Sequence, residues 1–159
     1  YIHTTMRNIT TFPVVLDSSE AVDQMIETEV AKFTSMWENL SNTFHCPIIQ
    51  NNFEKPVYRL LGNRDASDIH GNLNQKWYEY AQTHENFYIC DIDYISSDYG
   101  LSAWHDLNYW YMYKYAMSLQ AIPYLSFNVA NIIKSHEREH LINRNSDLEI
   151  SQDNIAALE

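Results

Sequence analysis

The sequence predicts an α/β fold with a parallel sheet, because short strand-like segments alternate with longer amphipathic ones. The clearest strand-like segments are the apolar runs at residues 46–50 and 87–95. Strands that alternate with helices in this way form βαβ units, in which the strands are parallel. In such sheets ligands bind beyond the carboxyl ends of the strands. Three loops are therefore expected to form a ligand crevice, at residues 4–8, 51–64 and 91–106.

The longest helix is predicted over residues 19–44, where apolar residues recur at intervals of three and four residues. This spacing is typical of one face of an amphipathic helix. Asp17, Ser18 or Ser19 can cap the start of the helix, and Glu20 favours the positive end of its dipole. The predicted buried face consists of Val22, Ile26, Val30, Phe33, Trp37, Leu40 and Phe44.

Two further helices and one more strand complete the predicted domain. A second helix is expected over residues 70–84, and a final helix begins at Pro123, a residue that suits the first helical turn. Residues 1–3 have the pattern of the end of a strand. We therefore expect one α/β domain over residues 1–142, followed by a polar tail or linker over residues 143–159.

Two alternating patterns raise the possibility of side-chain sites. If residues 87–95 form a strand, Asp91 and Asp93 share one face and could bind a hard cation such as Mg²⁺ with help from another loop. Solvated carboxylates at a strand end are the favoured interpretation, because no third ligand is evident. The alternating tyrosines between residues 109 and 115 could form an aromatic groove for an acyl or sugar group. Core packing on one side is the favoured alternative for them.

The composition is that of one acidic globular domain. The chain has 159 residues, of which 45% are hydrophobic, enough for a single core. Its 10 Lys and Arg against 21 Asp and Glu give a formal net charge of −11. This balance argues against nucleic acid and anionic membranes as partners, because phosphate contacts need clustered cations. No membrane span and no signal peptide are evident, so a cytoplasmic location is expected.

The two cysteines and the first residues give information about the context of the chain. Cys46 and Cys90 both lie in apolar, strand-like runs, which favours buried free thiols over a disulfide. The chain begins with Tyr1 and not with Met, within what resembles a strand. We therefore expect it to be a piece of a longer protein.

Residues 136–140 match the H-E-x-x-H pattern of zinc proteases. On a helix, His136 and His140 lie one turn apart and could share a metal ion. The variable positions are the charged residues Arg138 and Glu139, whereas the glutamate of such enzymes acts as a base in a water-poor cleft. We interpret the pattern as a solvated, salt-bridged helix face. A zinc protease remains a remote alternative, and no metal ion or other cofactor is predicted.

Four stretches of the sequence, taken together, are similar to a known family. They are YIHTTMRNIT, IIQNNFEKPVYRLLGN, DIDYISSDYGLSAW and HDLNYWYMYKYAMS. They resemble the SGNH-like (GDSL-hydrolase-like) domain that precedes the haloacid-dehalogenase (HAD) type phosphatase domain of FkbH-like proteins. The resemblance implies a three-layer α/β/α sandwich, flavodoxin-like and SGNH hydrolase-like, whose first strand lies outside this chain. It also implies a pathway of polyketide or surface-polysaccharide assembly, in which the phosphatase-like half is associated with loading a glyceryl unit onto an acyl carrier protein.

The resemblance also implies site residues, although part of the expected pattern is missing. SGNH hydrolases carry a nucleophilic Ser after their first strand, which would lie before this chain begins, and Asn8 matches their oxyanion-binding Asn. Their late D-x-x-H pair is absent, since His105 precedes Asp106 and Lys114 lies near the expected His position. We therefore predict catalytic roles for Asn8, His105, Asp106 and Lys114. The predicted substrate-binding residues are Thr5, Arg7, Asn51 and Arg59.

Each of these residues also has a structural interpretation. The loop that contains Thr5, Arg7 and Asn8 could cap its own backbone, and Asn51 could be a turn residue. His105 lies among Trp and Tyr residues, where a packed histidine is common. Adjacent residues diverge in a helix or strand, so His105 and Asp106 are not expected to pair with each other.

The leading hypothesis is an SGNH-like domain of an FkbH-like biosynthetic protein that handles a small acyl, glyceryl or sugar group by ester transfer or hydrolysis. The alternative is a non-catalytic module that docks an acyl carrier protein or a fused HAD-type phosphatase domain. Acyl carrier proteins are acidic, so docking one would need a local basic patch. The loop at residues 59–64, with its two arginines, is the candidate patch.

Overall fold

A computed structural model describes residues 1–14, 16–56 and 67–156, without the side chains at 67, 68, 140 and 142–156. After a short 3₁₀ helix at Met6–Asn8, the described elements follow one another along the chain. They are α1 (Ser19–Phe44), β1 (Ile48–Asn51), α2 (Ser67–Thr83), β2 (Phe87–Cys90), α3 (Ile92–Tyr99), α4 (Leu101–Trp104), α5 (Leu107–Tyr113) and α6 (Ile122–Ala156).

Among the described residues the sheet has two strands, β1 and β2, which run parallel with Ile48 opposite Phe87 and Asn51 opposite Cys90. Residue Ile2 adds one parallel bridge to Gln50. Its amide donates a hydrogen bond to the Ile49 carbonyl oxygen at 2.8 Å. The predicted α/β class with parallel pairing is confirmed, and the predicted strand at residues 1–3 contributes this single bridge.

Helices pack against both faces of the sheet, because alternate strand residues point to opposite faces. Ile48 and Phe87 join one buried cluster with residues of α1 and α2, while Ile49 and Cys90 join a second cluster with residues of α3, α4 and α6. Trp37 of α1 and Trp77 of α2 meet edge to face in the first cluster, with ring centroids 5.0 Å apart. Both indoles are fully buried, and aromatic side chains of this size remove a large apolar area from water.

Helix α1 begins and ends at the predicted residues. The side chain of Ser18 accepts a hydrogen bond from the Ala21 amide and caps the first turn. The buried residues of α1 include Ile26, Phe33 and Trp37, all from the predicted apolar face. This long helix forms much of one side of the first cluster and so positions β1 against it.

The predicted strand over residues 87–95 is wrong in its second half. Strand β2 ends at Cys90, and Asp91 caps α3 by accepting a hydrogen bond from the Tyr94 amide at 3.1 Å. Since Asp93 lies in the first turn of α3, it does not share a strand face with Asp91. An Asp side chain at a helix start satisfies an amide that lacks a helical partner, and this cap ends the strand.

The expected burial of the two cysteines is only half correct. Cys90 is buried as predicted, whereas Cys46 is exposed. The alternating tyrosines fall largely in helix α5, and the rings of Tyr109 and Tyr115 stack at a centroid distance of 6.1 Å. Helix α6 extends as far as Ala156, and the predicted end of the domain at residue 142 stays a prediction.

Candidate functional site

A cleft of about 710 Å³ lies beside the carboxyl ends of the parallel segments. It is lined by the loop after the Ile2 bridge, the loop after β1, and the α4–α5 region. These are parts of the loops predicted to form the crevice. Its lining residues include Thr5, Arg7, Phe12, Glu54, Lys55, His105, Asp106, Leu107 and Trp110.

The cleft brings the Glu54 carboxylate close to the His105 ring, with Oε1 and Nε2 4.0 Å apart. That separation is too long for a hydrogen bond. The Nε2 atom is buried and has no hydrogen-bond partner among the described residues. It is therefore available to a polar group of a ligand.

The pKa shifts indicate that this contact is not a permanent ion pair. Burial raises the pKa of Glu54 to about 6, and the nearby negative charge of Asp93 adds to the effect. Burial also lowers the pKa of His105, as does the positive charge of Arg7. The 4.0 Å between Glu54 Oε1 and His105 Nε2 is short enough for an ion pair, but both pKa shifts disfavour the charged forms that an ion pair needs. At neutral pH the pair is an ionised Glu54 beside a neutral His105.

Arg7 brings a cation into the cleft and is held there by Trp110. Its guanidinium carbon lies 3.9 Å from the centroid of the Trp110 ring, a stacked cation–π geometry. The Lys114 ammonium lies 5.3 Å from the same ring. A stacked guanidinium keeps its N–H edges available for a carboxylate or phosphate oxygen.

Lys55 supplies a second cation at the cleft and links the loop after β1 to α3. Its ammonium lies 3.6 Å from an oxygen of Asp93. The same two segments are joined by Asn52, which donates to the Asp91 carboxylate at 2.8 Å and accepts from the Asp93 amide at 3.0 Å. These contacts fix the loop that carries Glu54.

Among the predicted site residues, Thr5, Arg7, His105 and Asp106 line the cleft. Thr5 and Asn8 also cap the 3₁₀ helix, since the Thr5 amide donates to Asn8 Oδ1 at 2.8 Å and the Arg7 amide donates to Thr5 Oγ1 at 3.2 Å. The Asn8 side chain is exposed, and Asn8 is not a lining residue. Its catalytic role remains a prediction.

Asn51 is fully buried and holds the N-terminal segment against β1. Its Oδ1 accepts a hydrogen bond from the Thr4 amide at 2.7 Å, and its Nδ2 donates to the Thr4 carbonyl at 2.6 Å. The Nδ2 also donates to the Asn52 carbonyl at 2.6 Å. The described structure thus gives this amide a structural role, and its predicted role in substrate binding remains a prediction.

Asp106 and Lys114 lie at opposite ends of α5. Asp106 Oδ1 caps the helix by accepting from the amides of Asn108 and Tyr109 at 3.0 and 3.1 Å. Lys114 ends the helix in a left-handed conformation with a φ of 60°. Asp106 and His105 do not pair with each other, because His105 instead lies near Glu54. The predicted binding residue Arg59 lies outside the described residues.

The cleft residues that were not predicted as site residues include three that shape its charge and geometry: Glu54, Lys55 and Trp110. Glu54 and Lys55 lie in the predicted loop 51–64, shortly after a strand that is buried along its whole length. That position was the available signal, since charged residues just beyond a buried strand tend to face the crevice. Trp110 gave no comparable signal, because its aromatic surroundings are equally typical of a core.

The H-E-x-x-H residues lie in the middle of α6. The Tyr88 hydroxyl and His136 Nδ1 form a hydrogen bond of 2.8 Å, and the two rings meet edge to face. The side chain of His140 lies outside the described residues, so the zinc hypothesis remains a prediction. Within the part of the chain that the structure describes, no group of three or more His, Cys, Asp or Glu could hold a metal ion. Nor is any helix in that part long and apolar enough to cross a membrane.

Comparison with known proteins agrees with this architecture. A family model described as FkbH, N-terminal domain, matches residues 14–134. A solved structure of the N-terminal part of the protein BF1531 from Bacteroides fragilis is similar, with a TM-score of 0.63 and 20% identity. That crystal structure contains a phosphatase domain complexed with Mg. The match covers 77% of this chain and 33% of the solved one, so this chain spans about a third of the solved chain. None of the curated proteins matches.

The fold and the cleft define an α/β domain with a cleft at the carboxyl ends of a parallel sheet. The family match extends over most of that domain. The chain belongs to the FkbH N-terminal domain family. The FkbH part of the predicted resemblance is therefore confirmed, while the SGNH part is named by neither comparison and remains a proposal.

Proposed function

We propose that this domain belongs to an FkbH-like biosynthetic protein and that its cleft binds a small acyl or glyceryl group. The observation that carries the proposal is the unpartnered Nε2 of His105, buried in the cleft 4.0 Å from the Glu54 carboxylate. Buried polar groups are nearly always hydrogen-bonded, and an exception in a cleft is expected at a site for a ligand.

The lining of the cleft suits a small ligand with both apolar and anionic parts. Its volume of about 710 Å³ falls within the ordinary range of small-molecule sites. Phe12, Leu107 and Trp110 supply apolar surface for an acyl chain. Arg7 and Lys55 supply positive charge, in a protein whose net charge of −11 would otherwise repel an anion.

Within this proposal His105 acts as the general base and Glu54 as the group that stabilises its protonated form. Because burial and the charge of Arg7 lower the pKa of His105, its imidazole is neutral at physiological pH and can accept a proton from a ligand hydroxyl. Glu54, whose pKa is about 6, is then ionised and favours the imidazolium that forms. Acyl transfer or ester hydrolysis would use this step.

The proposal is tested by titrating the chain with a glyceryl thioester of pantetheine, which mimics the end of a carrier-linked substrate. Saturable changes in the NMR signals of Arg7, Glu54 and His105 are expected. The variant His105→Gln should weaken binding or stop thioester cleavage. The matched variant His84→Gln, on an exposed histidine outside the cleft, should change neither. Binding and cleavage that are both equal in the two variants would contradict the site.

A non-catalytic module is the second candidate function. It is favoured by the hydrogen bonds of Asn8, Asn51 and Asp106, whose side chains serve the protein's own backbone. In that case the domain would position an acyl carrier protein or a neighbouring domain. Binding of the thioester probe without any cleavage, together with saturable binding of an acyl carrier protein, is the result expected for this module.

The wider context is also part of the proposal. We propose that the helices on both faces of the sheet correspond to a three-layer, SGNH-like sandwich completed by a strand outside this chain. A fused HAD-type phosphatase domain is proposed because the similar Bacteroides protein contains a phosphatase domain. The proposed setting is polysaccharide or metabolite assembly in the cytoplasm. Expression of the longer protein, followed by assay of its phosphatase activity, tests the fusion.

A further inference from the structure

A second hollow lies away from the cleft, between helices α3 and α6. Its volume is about 430 Å³. Helix α3 contributes Tyr94 and Asp98, and α6 contributes Tyr124 and Phe127. These pairs are spaced by four and by three residues, so each pair lies on one helix face. The hollow is therefore bounded by three aromatic rings and one carboxylate.

The aromatic rings of this hollow are unusually exposed for their size. The exposed fractions are 68% for Tyr94, 49% for Tyr124 and 66% for Phe127. Tyr124 is held in place by Tyr99, whose ring meets it edge to face at a centroid distance of 5.4 Å. Clustered aromatic residues on a surface commonly mark a site of interaction.

Charge determines which partner fits the hollow. The carboxylate of Asp98 has no hydrogen bond or ion pair within the described part of the chain, and no Lys or Arg lines the hollow. Aromatic faces carry negative potential and attract cations. The three aromatic rings and the Asp98 carboxylate therefore all favour a positively charged occupant. A guanidinium fits best, because it is planar, stacks on aromatic rings and pairs with a carboxylate through two N–H groups.

The hollow continues into a neighbouring one that is suited to a peptide backbone. The two hollows share Tyr94, Ile95 and Asn128. The second is lined further along α6 by Asn131, Ser135 and Glu139. Amide and hydroxyl groups of this kind can bind the N–H and C=O groups of an extended chain. The continuous surface has room for a polypeptide segment and not only for a single side chain.

We propose that the groove between α3 and α6 docks a polypeptide segment of a partner protein through an arginine side chain. The arginine stacks among Tyr94, Tyr124 and Phe127 and pairs with Asp98. This docking site is separate from the acyl-binding cleft, so neither proposal depends on the other.

The experiment uses the full 159-residue chain and two small probes at physiological ionic strength, where screening limits long-range attraction to the acidic surface. N-acetyl-arginine methylamide carries the guanidinium, and N-acetyl-citrulline methylamide is its neutral analogue. NMR titration should show saturable shifts at Tyr94, Asp98 and Phe127 for the arginine probe. About fivefold tighter binding than for the citrulline probe is expected.

Two variants and one control complete the test. Asp98→Asn should abolish the preference for arginine, and Phe127→Ala should weaken the binding of both probes. Asp23→Asn removes an exposed carboxylate from α1 and should leave the preference unchanged. Equal binding of the two probes would overturn the proposal, as would a preference that survives in Asp98→Asn. Self-association of the chain through this groove would also overturn it, because the occupant would then be a second copy.

Discussion

Glu54 Oε1 and His105 Nε2 lie 4.0 Å apart in the cleft, although they come from loops on different parts of the chain. Glu54 follows β1, and His105 lies between α4 and α5. Burial shifts the pKa of Glu54 upward and the pKa of His105 downward, so each group favours its neutral form. The two groups therefore affect stability with opposite dependence on pH, which makes their environment measurable without a ligand.

Glu54 should make the native state less stable as the pH rises from about 4.5 to 6. Its pKa is raised from 4.5 to about 6, so in this window the native state binds more protons than the unfolded state. The free energy of unfolding consequently falls through the window and stays lower above it. Glu54→Gln should remove this fall and stabilise the protein by about 2 kcal/mol above pH 6. Urea unfolding between pH 4 and 8 measures the effect.

The matched control for this prediction is Glu38→Gln, which changes an exposed carboxylate of α1. Its unfolding curve should follow that of the unmodified protein across the whole pH range. If Glu54→Gln showed the same pH dependence as the unmodified protein, burial would not be raising the pKa of Glu54.

His105 should make the native state less stable as the pH falls below 6.5, which is opposite to the effect of Glu54. Its pKa is lowered from 6.5, so the unfolded state binds more protons than the native state as the pH falls below 6.5. Stability is therefore lost on acidification, and His105→Gln should reduce that loss. The difference in unfolding free energy between His105→Gln and the unmodified protein, measured from pH 7.5 down to 5, checks the sign. A difference that is constant with pH would contradict it.

Asn51 should be among the most sensitive positions for folding. It is fully buried, and its amide makes three hydrogen bonds to backbone groups of Thr4 and Asn52. Asn51→Ala leaves those buried groups without partners, which is expected to cost roughly 2–4 kcal/mol. Asn39→Ala, on the exposed side of α1, should change stability by about 0.5 kcal/mol or less. Similar urea midpoints for the two variants would exclude the structural role of Asn51.

Periodicity predicted the elements whose apolar face is buried. Helix α1 was predicted from its spacing of apolar residues and its capping Ser18, because both features are local in the sequence. The crevice loops were predicted from the rule that parallel strands present their carboxyl ends to ligands. The second half of the predicted strand over residues 87–95 failed because a short apolar run is compatible with both a strand and a short buried helix, and the Asp91 cap decided between them.

The partners within the site were not predictable from the sequence. Nothing local indicates that Glu54 meets His105, which lies much further along the chain, or that Arg7 stacks on Trp110. Such contacts depend on how the loops fold over the strand ends. The predicted residues Asn8 and Asn51 lie near the strand ends. Their side chains are occupied by hydrogen bonds to backbone groups, and for Asn51 the partner Thr4 is distant in the sequence.

Two variants of Asp106 distinguish its capping role from its predicted catalytic role. Its carboxylate accepts hydrogen bonds from two amides at the start of α5. Asp106→Ala should cost about 1 kcal/mol of stability, whereas Asp106→Asn keeps an acceptor oxygen and should cost less. If the carboxylate were catalytic, Asp106→Asn would abolish cleavage of the thioester probe while keeping the fold. We expect capping alone, so that both the binding and the cleavage of the probe by Asp106→Asn match those of the unmodified protein.

Trp110 should hold Arg7 in position for an anionic ligand. Their stacked contact of 3.9 Å is worth about 0.5–1 kcal/mol at an exposed site. Without the ring, the Arg7 side chain loses its support and must be ordered again when a ligand binds. Trp110→Leu should therefore lower the affinity for the glyceryl thioester probe by about threefold to fivefold. Trp110→Phe keeps an aromatic face and should retain most of the affinity.

The control for Trp110 is Tyr111→Leu, an equally drastic change at the next residue of α5. Tyr111 is 71% exposed and does not line the cleft, so its loss should leave probe affinity unchanged. The side-chain NMR signals of Arg7 provide a second readout, because the indole ring current shifts them upfield only while the two groups are stacked. Trp110→Leu should return those signals to the positions of a free arginine, and Tyr111→Leu should not. Suppose that both leucine variants lower the affinity for the probe and that neither changes the Arg7 signals. Helix α5 would then affect the cleft through its own fold, and stacking on Trp110 would not orient Arg7.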